Sequence, residues 1–194
     1  MDERRIPWAE GSWTHPPAAV AEDGDDLVVT AVEGSDAWRV TSYGFVHDDE
    51  HALLAPLASD AGVEVTFTAD LSAQFDQAGL FLRVSDEHWV KAGVEFADGV
   101  PQVGVVVTDG RSDWSASPVP EWSGRRVTIR ASRAGDAVTV RARVGDDAWR
   151  FVRLLPLDPA LALSAGPFLC APTRAGLEIR FHAWAVTEPD GSLH

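Results

Sequence analysis

Residues 76–115 read DQAGLFLRVSDEHWVKAGVEFADGVPQVGVVVTDGRSDWS, and their alternation decides the fold. Side chains along a strand point to opposite faces in turn, so residues sort by parity. In residues 89–96, Val90, Ala92, Val94 and Phe96 form one face, and Trp89, Lys91, Gly93 and Glu95 the other. The first set suits the gap between two sheets. The second mixes a cation, an anion and an indole, an odd combination for plain solvent exposure. Just upstream, Leu80, Leu82 and Val84 oppose Gly79, Phe81 and Arg83 in the same way. Asp98-Gly99 between two apolar runs reads as a hairpin turn.

The same pattern recurs outward from this stretch. Segments 26–34, 63–71, 125–132, 137–144, 149–155 and 176–186 are short, mostly alternating, and rich in Val, Ile, Phe, Thr and Trp. In the last of them Leu177, Ile179, Phe181 and Ala183 are expected on one face, with Glu178, Arg180, His182 and Trp184 on the other. Turn signals at Gly34, Gly110, Gly135 and Gly145 separate the segments at the spacing, about 8–12 residues, of a sandwich or barrel. Helical signals are thin; the best, near 51–57 and 158–163, are interrupted by Pro56 and Pro159. The expectation is one all-β domain over residues 1–194, a sandwich with one apolar inner face per sheet. Residues 1–7 and 188–194 are expected to be loose ends, although Trp8 and Trp13 suggest that the segment carrying them packs on the body.

Acidic residues outnumber basic ones 30 to 16 among 194, for a net charge of −14. Such a chain repels phosphate backbones, so no nucleic-acid partner is expected. Cys170 is the single cysteine, which excludes an internal disulfide framework. No stretch approaches the roughly 20 apolar residues that span a bilayer, so no membrane partner is expected. Residues 1–13 lack the apolar core of a signal peptide, so the expected location is cytoplasmic. Eight Trp stand beside one Tyr and one Met; such rings fill cores or line ligand platforms.

The 76–115 stretch resembles the regulation-of-enolase protein family, a group of concanavalin A-like, jelly-roll domains. The same likeness extends to SDAWRVTSYGFVHDDEHALLAP at 35–56 and GPFLCAPTRAGLEIRFHAWAV at 166–186. The resemblance implies a jelly-roll β-sandwich of two antiparallel sheets. By analogy with lectins, glucanases and sugar-binding domains of the wider superfamily, it also implies a carbohydrate-like or small polar ligand on the concave face. The family's link to enolase makes a protein-interaction or regulatory domain the alternative, with a glycoside hydrolase or lyase as a second alternative.

Four groups of residues carry candidate chemistry. Lys91 and Glu95 share a face, roughly 13 Å apart at about 3.3 Å per residue, with Gln77 and Arg83 nearby. They form either a ligand-binding floor with Trp89 as a stacking ring, or a solvated face of cross-strand charge pairs. A glycosidase needs a second carboxyl group about 5–9.5 Å from the first. Gly93 and Ala97 flank Glu95 on its own face, so a partner has to come from elsewhere in the chain. Residues 47–51, His-Asp-Asp-Glu-His, lack the zinc signature and a second ligand pair. No metal and no cofactor are expected, and the resemblance keeps His51 as a polar contact near the pocket. Arg39, Thr41 and Tyr43 alternate onto one face, where Arg39 would hold a ligand or pair with an acid such as Glu95. Asp113 and Trp114 follow a turn and would form a rim loop or seal the sandwich edge. The expected ligand contacts are therefore Arg39, Tyr43, His51, Gln77, Lys91, Glu95, Asp113 and Trp114, with no catalytic residue assigned.

Overall fold

The computed structural model describes residues 4–192. They form β1 (Arg4–Arg5), β2 (Ser12–Trp13), β3 (Ala19–Asp23), β4 (Asp26–Thr30), β5 (Ala37–Arg39), β6 (Val46–Asp48), β7 (His51–Leu57), β8 (Ala61–Ala69) and β9 (Gln77–Arg83). These are followed by β10 (His88–Ala97), β11 (Val100–Asp109), β12 (Arg111–Pro118), β13 (Arg126–Ala134), β14 (Ala137–Val144), β15 (Arg150–Pro156), β16 (Leu163–Cys170) and β17 (Glu178–Thr187). One sheet runs β12-β11-β10-β9-β16-β7-β2; the other runs β15-β14-β13-β8-β17-β4-β3, with β1 added beside β17. Each of the strand pairs is antiparallel. This is the concanavalin A-like jelly-roll β-sandwich. Among the described residues no helix is long and apolar enough to cross a membrane.

The even-numbered face of β10 lies in the core: Val90, Ala92 and Val94 join Leu80 and Leu82 against Val65, Phe67 and Ile129 of the facing sheet. Strand β17 breaks the expected parity. Its register shifts between Phe181 and Ala183, so His182 is an extra residue and the face changes there. Ile179, Phe181 and Trp184 all point inward, each 0% exposed; the expectation that Trp184 opposes Phe181 is overturned by this bulge.

Of the two stretches with helical signals, that near 51–57 is strand β7 and that near 158–163 is a turn leading into β16. Residues Asp113 and Trp114 sit within β12, not in a rim loop. The ends are held more firmly than composition suggests. Arg4 and Arg5 pair with Val186 and Ala185, and Ile6 is 3% exposed. At the other end Asp190 is gripped by Arg130 at 2.8 Å and by Arg141. Residues 4–6 are therefore tied down by backbone pairing with β17, and Glu188 and Asp190 by the Arg130 side chain, partners that lie far away in sequence; residues 1–3, 193 and 194 lie outside the described part.

Gly79, Gly93 and Gly104 lie side by side across β9, β10 and β11. At Gly93 a Cβ would run into the Ala78 carbonyl oxygen. The three strands can approach this closely because that row carries no side chains. Gly93→Ala is expected to lower stability by about 1–3 kcal/mol through forced backbone movement, read as an earlier urea midpoint; an unchanged midpoint would contradict the close approach.

Candidate functional site

The outer face of the β9–β12 sheet is covered at one end by the β5–β6 hairpin. The Arg39 backbone N–H donates to Ser112 Oγ of β12 at 2.9 Å, tying the hairpin down. Beneath it lies a second apolar cluster, with Phe81, Trp89, Val106, Phe168 and Cys170 packed against Ala37 and Trp38. Trp89 is 4% exposed and stacks on Phe81 at 5.4 Å. It is a packing residue, not the ligand-stacking ring expected from its parity, because the hairpin closes over it.

Beside this cluster a pocket of about 250 Å³ remains open. Trp38, Tyr43, Phe45, Phe75 and Trp114 line its walls, and Asp36, Gln77, Lys91 and Glu95 supply its polar groups. A narrow extension of about 20 Å³ continues over Gly93 and Gly104, where the row of glycines leaves space. The hairpin's rings support one another: Trp38 meets Tyr43 edge-on at 5.7 Å, Tyr43 stacks on Phe45 at 5.3 Å, and Phe45 meets His47 at 4.8 Å.

Asp36 organises the polar floor. Its Oδ1 accepts from Lys91 Nζ at 3.0 Å, from Gln77 Nε2 at 3.1 Å and from the Ala37 N–H at 2.7 Å. Gln77 Nε2 also donates to the Phe75 carbonyl, which leaves Gln77 Oε1 buried without a partner. Burial pulls the Lys91 ammonium down, but Asp36 and then Glu95 outweigh it, and the group ends above its ordinary value. Glu95 lies directly across from Gln77 in the β9–β10 register. Its carboxyl accepts no hydrogen bond among the described residues. Burial pushes it up to about 7, with Lys91 pulling down and Asp36 pushing up.

Five of the eight expected contacts therefore surround one pocket: Tyr43, Gln77, Lys91, Glu95 and Trp114. Three do not. Arg39 turns away to Glu87 at 2.7 Å. It pairs with that acid rather than with Glu95, and the expected alternation of Arg39 with Tyr43 fails because residues 40–45 form a tight loop with Val40, Ser42 and Gly44 at positive φ. His51 is 2% exposed; its Nε2 accepts the Val32 N–H and its Nδ1 bonds the His15 carbonyl, so it ties chain segments together. Asp113 pairs with Arg153 at 2.9 Å on the outside. The sequence reading missed Asp36, Trp38, Phe45 and Phe75 as pocket residues. No periodic signal marks Asp36, whose partner Lys91 is 55 residues away. Among the described residues no group of three or more His, Cys, Asp or Glu side chains is placed to hold a metal ion.

The family model described as "Protein of unknown function (DUF1349)" matches residues 13–189. The chain belongs to the DUF1349 family. Regulation of enolase protein 1 of Saccharomyces cerevisiae is 31% identical over 195 residues, spanning 100% of this chain and 98% of that protein. This also makes the chain a member of the regulation-of-enolase group. A crystal structure of a functionally unknown protein from Saccharomyces cerevisiae superposes with a TM-score of 0.89 at 31% identity, over 96% of this chain and 100% of that one. A xylan beta-1,4-xylosidase from Bacillus halodurans matches 84% of this chain with 33% of its own, at a TM-score of 0.67 and 14% identity. That likeness concerns the fold alone.

In this DUF1349 chain the Glu95 carboxyl is expected to titrate near pH 7, read by side-chain 13C NMR. Asp36→Asn is expected to lower the midpoint, since it removes a repelling charge and frees Lys91. The folded state holds the Glu95 proton more tightly than the unfolded state does. That contribution is whole below the ordinary value of 4.5 and is lost as pH rises through about 7. Glu95→Gln is therefore expected to gain on the parent by up to about 3 kcal/mol at pH 8 and to show little such gain at pH 4, measured by urea unfolding.

Proposed function

We propose that this protein binds a carbohydrate-like or small polar ligand, without turning it over, in the pocket between the β5–β6 hairpin and the β9–β12 face. The observation that carries this reading is the pairing of ring walls with a buried polar floor. Trp38, Tyr43, Phe45 and Trp114 offer apolar faces, while Glu95 and the rim of the Asp36–Lys91 pair offer hydrogen bonding. Rings that stack on a ligand face and a few convergent polar groups that orient it are the ingredients of small-ligand sites. The expected result is saturation-transfer NMR signal from members of a mono- and disaccharide panel. Trp114→Ala is expected to weaken that binding about tenfold, the equivalent of about 1.4 kcal/mol of lost contact. A silent panel would overturn the proposal.

A second reading, a regulatory domain that docks on a protein, is favoured by the exposed hairpin tip. Tyr43, Phe45 and Val46 are all exposed apolar residues, and a full-length relative carries the name Regulation of enolase protein 1. Calorimetry with purified enolase, using the parent and Tyr43→Ala, separates this reading from the first. A glycosidase reading draws on Asp36 as a second carboxyl group whose charge acts on Glu95; new sugar resonances appearing in the same NMR panel would report turnover. A cytoplasmic location belongs to the proposal.

A further inference from the structure

We infer that the pocket selects uncharged polyhydroxylated ligands and rejects their acid forms, because its Lys91 ammonium is already neutralised by Asp36 while the Glu95 carboxyl lines the pocket without a cation of its own. This inference rests on the binding reading above. Two cations in the sequence look suited to hold a sugar acid, Arg39 and Lys91, and the fold withdraws both. Arg39 is turned outward onto Glu87 and does not line the pocket. Lys91 is only 5% exposed, and its Nζ lies 3.0 Å from Asp36 Oδ1. A carboxylate entering the pocket would meet no free positive charge.

It would meet Glu95 instead. Lys91 from β10 and Asp36 ahead of β5 act on Glu95 by their charge, Gln77 from β9 lies across from it, and His47 from β6 lines the same pocket; Val106 and Trp114 from β11 and β12 bring no charge. Gln77 Oε1, across the register from Glu95, is an orphan acceptor. A protonated Glu95 carboxyl suits that neighbour as a donor and can engage a ligand diol both as donor and as acceptor. Once ionised, Glu95 still accepts from hydroxyl groups but repels a second carboxylate in a site partly withdrawn from water. Discrimination against acids therefore sharpens as Glu95 loses its proton.

The test compares matched probes, D-glucose with D-glucuronate and D-galactose with D-galacturonate, by saturation-transfer NMR and 1H–15N titration at pH 6 and pH 8. The neutral sugar is expected to bind at least tenfold more tightly than its acid at pH 8, with a smaller gap at pH 6. Glu95→Gln, which keeps the shape but carries no charge, is expected to make the gap independent of pH. An acid that binds as tightly as its parent sugar at pH 8 would overturn the inference while leaving the binding site standing. So would a pH dependence that survives in Glu95→Gln. If neither member of either pair binds, the binding reading fails, and this inference fails with it.

Discussion

Lys91→Ala is expected to destabilise the protein by about 3–5 kcal/mol, the range for removing one partner of a buried ion pair. For a domain of this size that corresponds to a melting temperature lower by about 6–20 °C. The reason lies in what is left behind. Asp36 is mostly enclosed, with its side chain 18% exposed, and without Lys91 its charge keeps only the Gln77 amide and the Ala37 N–H. Neither of these carries a compensating charge. The alkyl stem of Lys91 also fills space beneath the hairpin, so truncation opens a void as well. Pairing Lys91→Met with Asp36→Asn is expected to recover much of the loss, because the shape is restored and neither charge remains. Urea unfolding of the parent, the single and the double variant reads all three values. A loss below about 1 kcal/mol for Lys91→Ala would show the pair to be a surface contact in energetic terms.

Arg130→Ala is the second large effect, again expected at about 3–5 kcal/mol. Arg130 is 8% exposed and satisfies four acceptors at once. Its Nη1 donates to Glu64 Oε1 and Thr187 Oγ1, each at 2.6 Å, its Nε to Asp190 Oδ1 at 2.9 Å, and its Nη2 to the Glu188 carbonyl at 2.8 Å. Removing it leaves Glu64 without its cation and frees the segment after β17. The expected signature is therefore double: an earlier urea midpoint, and new proteolytic cleavage after residue 187, seen by mass spectrometry. Arg130→Lys keeps the charge but not the planar fork, so it is expected to fall between the parent and Arg130→Ala. Normal stability with an uncut C-terminal segment would mean that the cluster is not what holds this end.

The pocket was only partly legible in the sequence. Lys91 and Glu95 stood out because strand parity puts a cation and an anion on the same face as Trp89, and Gln77 follows from the same counting on β9. Tyr43 came from alternation with Arg39 and Thr41, and Trp114 from its place just after a turn. Parity could not show that a hairpin would cover this face, so it could not show that Trp89 and Lys91 would be enclosed. Nor could it carry through residues 40–45, where positive-φ positions reverse the chain, and this is why Arg39 and Tyr43 part company.

What the amino-acid order determined by itself is the local part: period-two strands, Gly-marked turns, the inner face of Val90, Ala92 and Val94, and a surplus of negative charge. These depend on steric and hydrophobic preferences that act over a few residues. The tertiary structure alone decided which charges meet. Asp36 finds Lys91, Arg130 finds Asp190, and the one-residue bulge at His182 turns Trp184 into the core. Pairing of this kind depends on chain segments that are distant in sequence and adjacent only once both sheets have closed, so no local pattern encodes it.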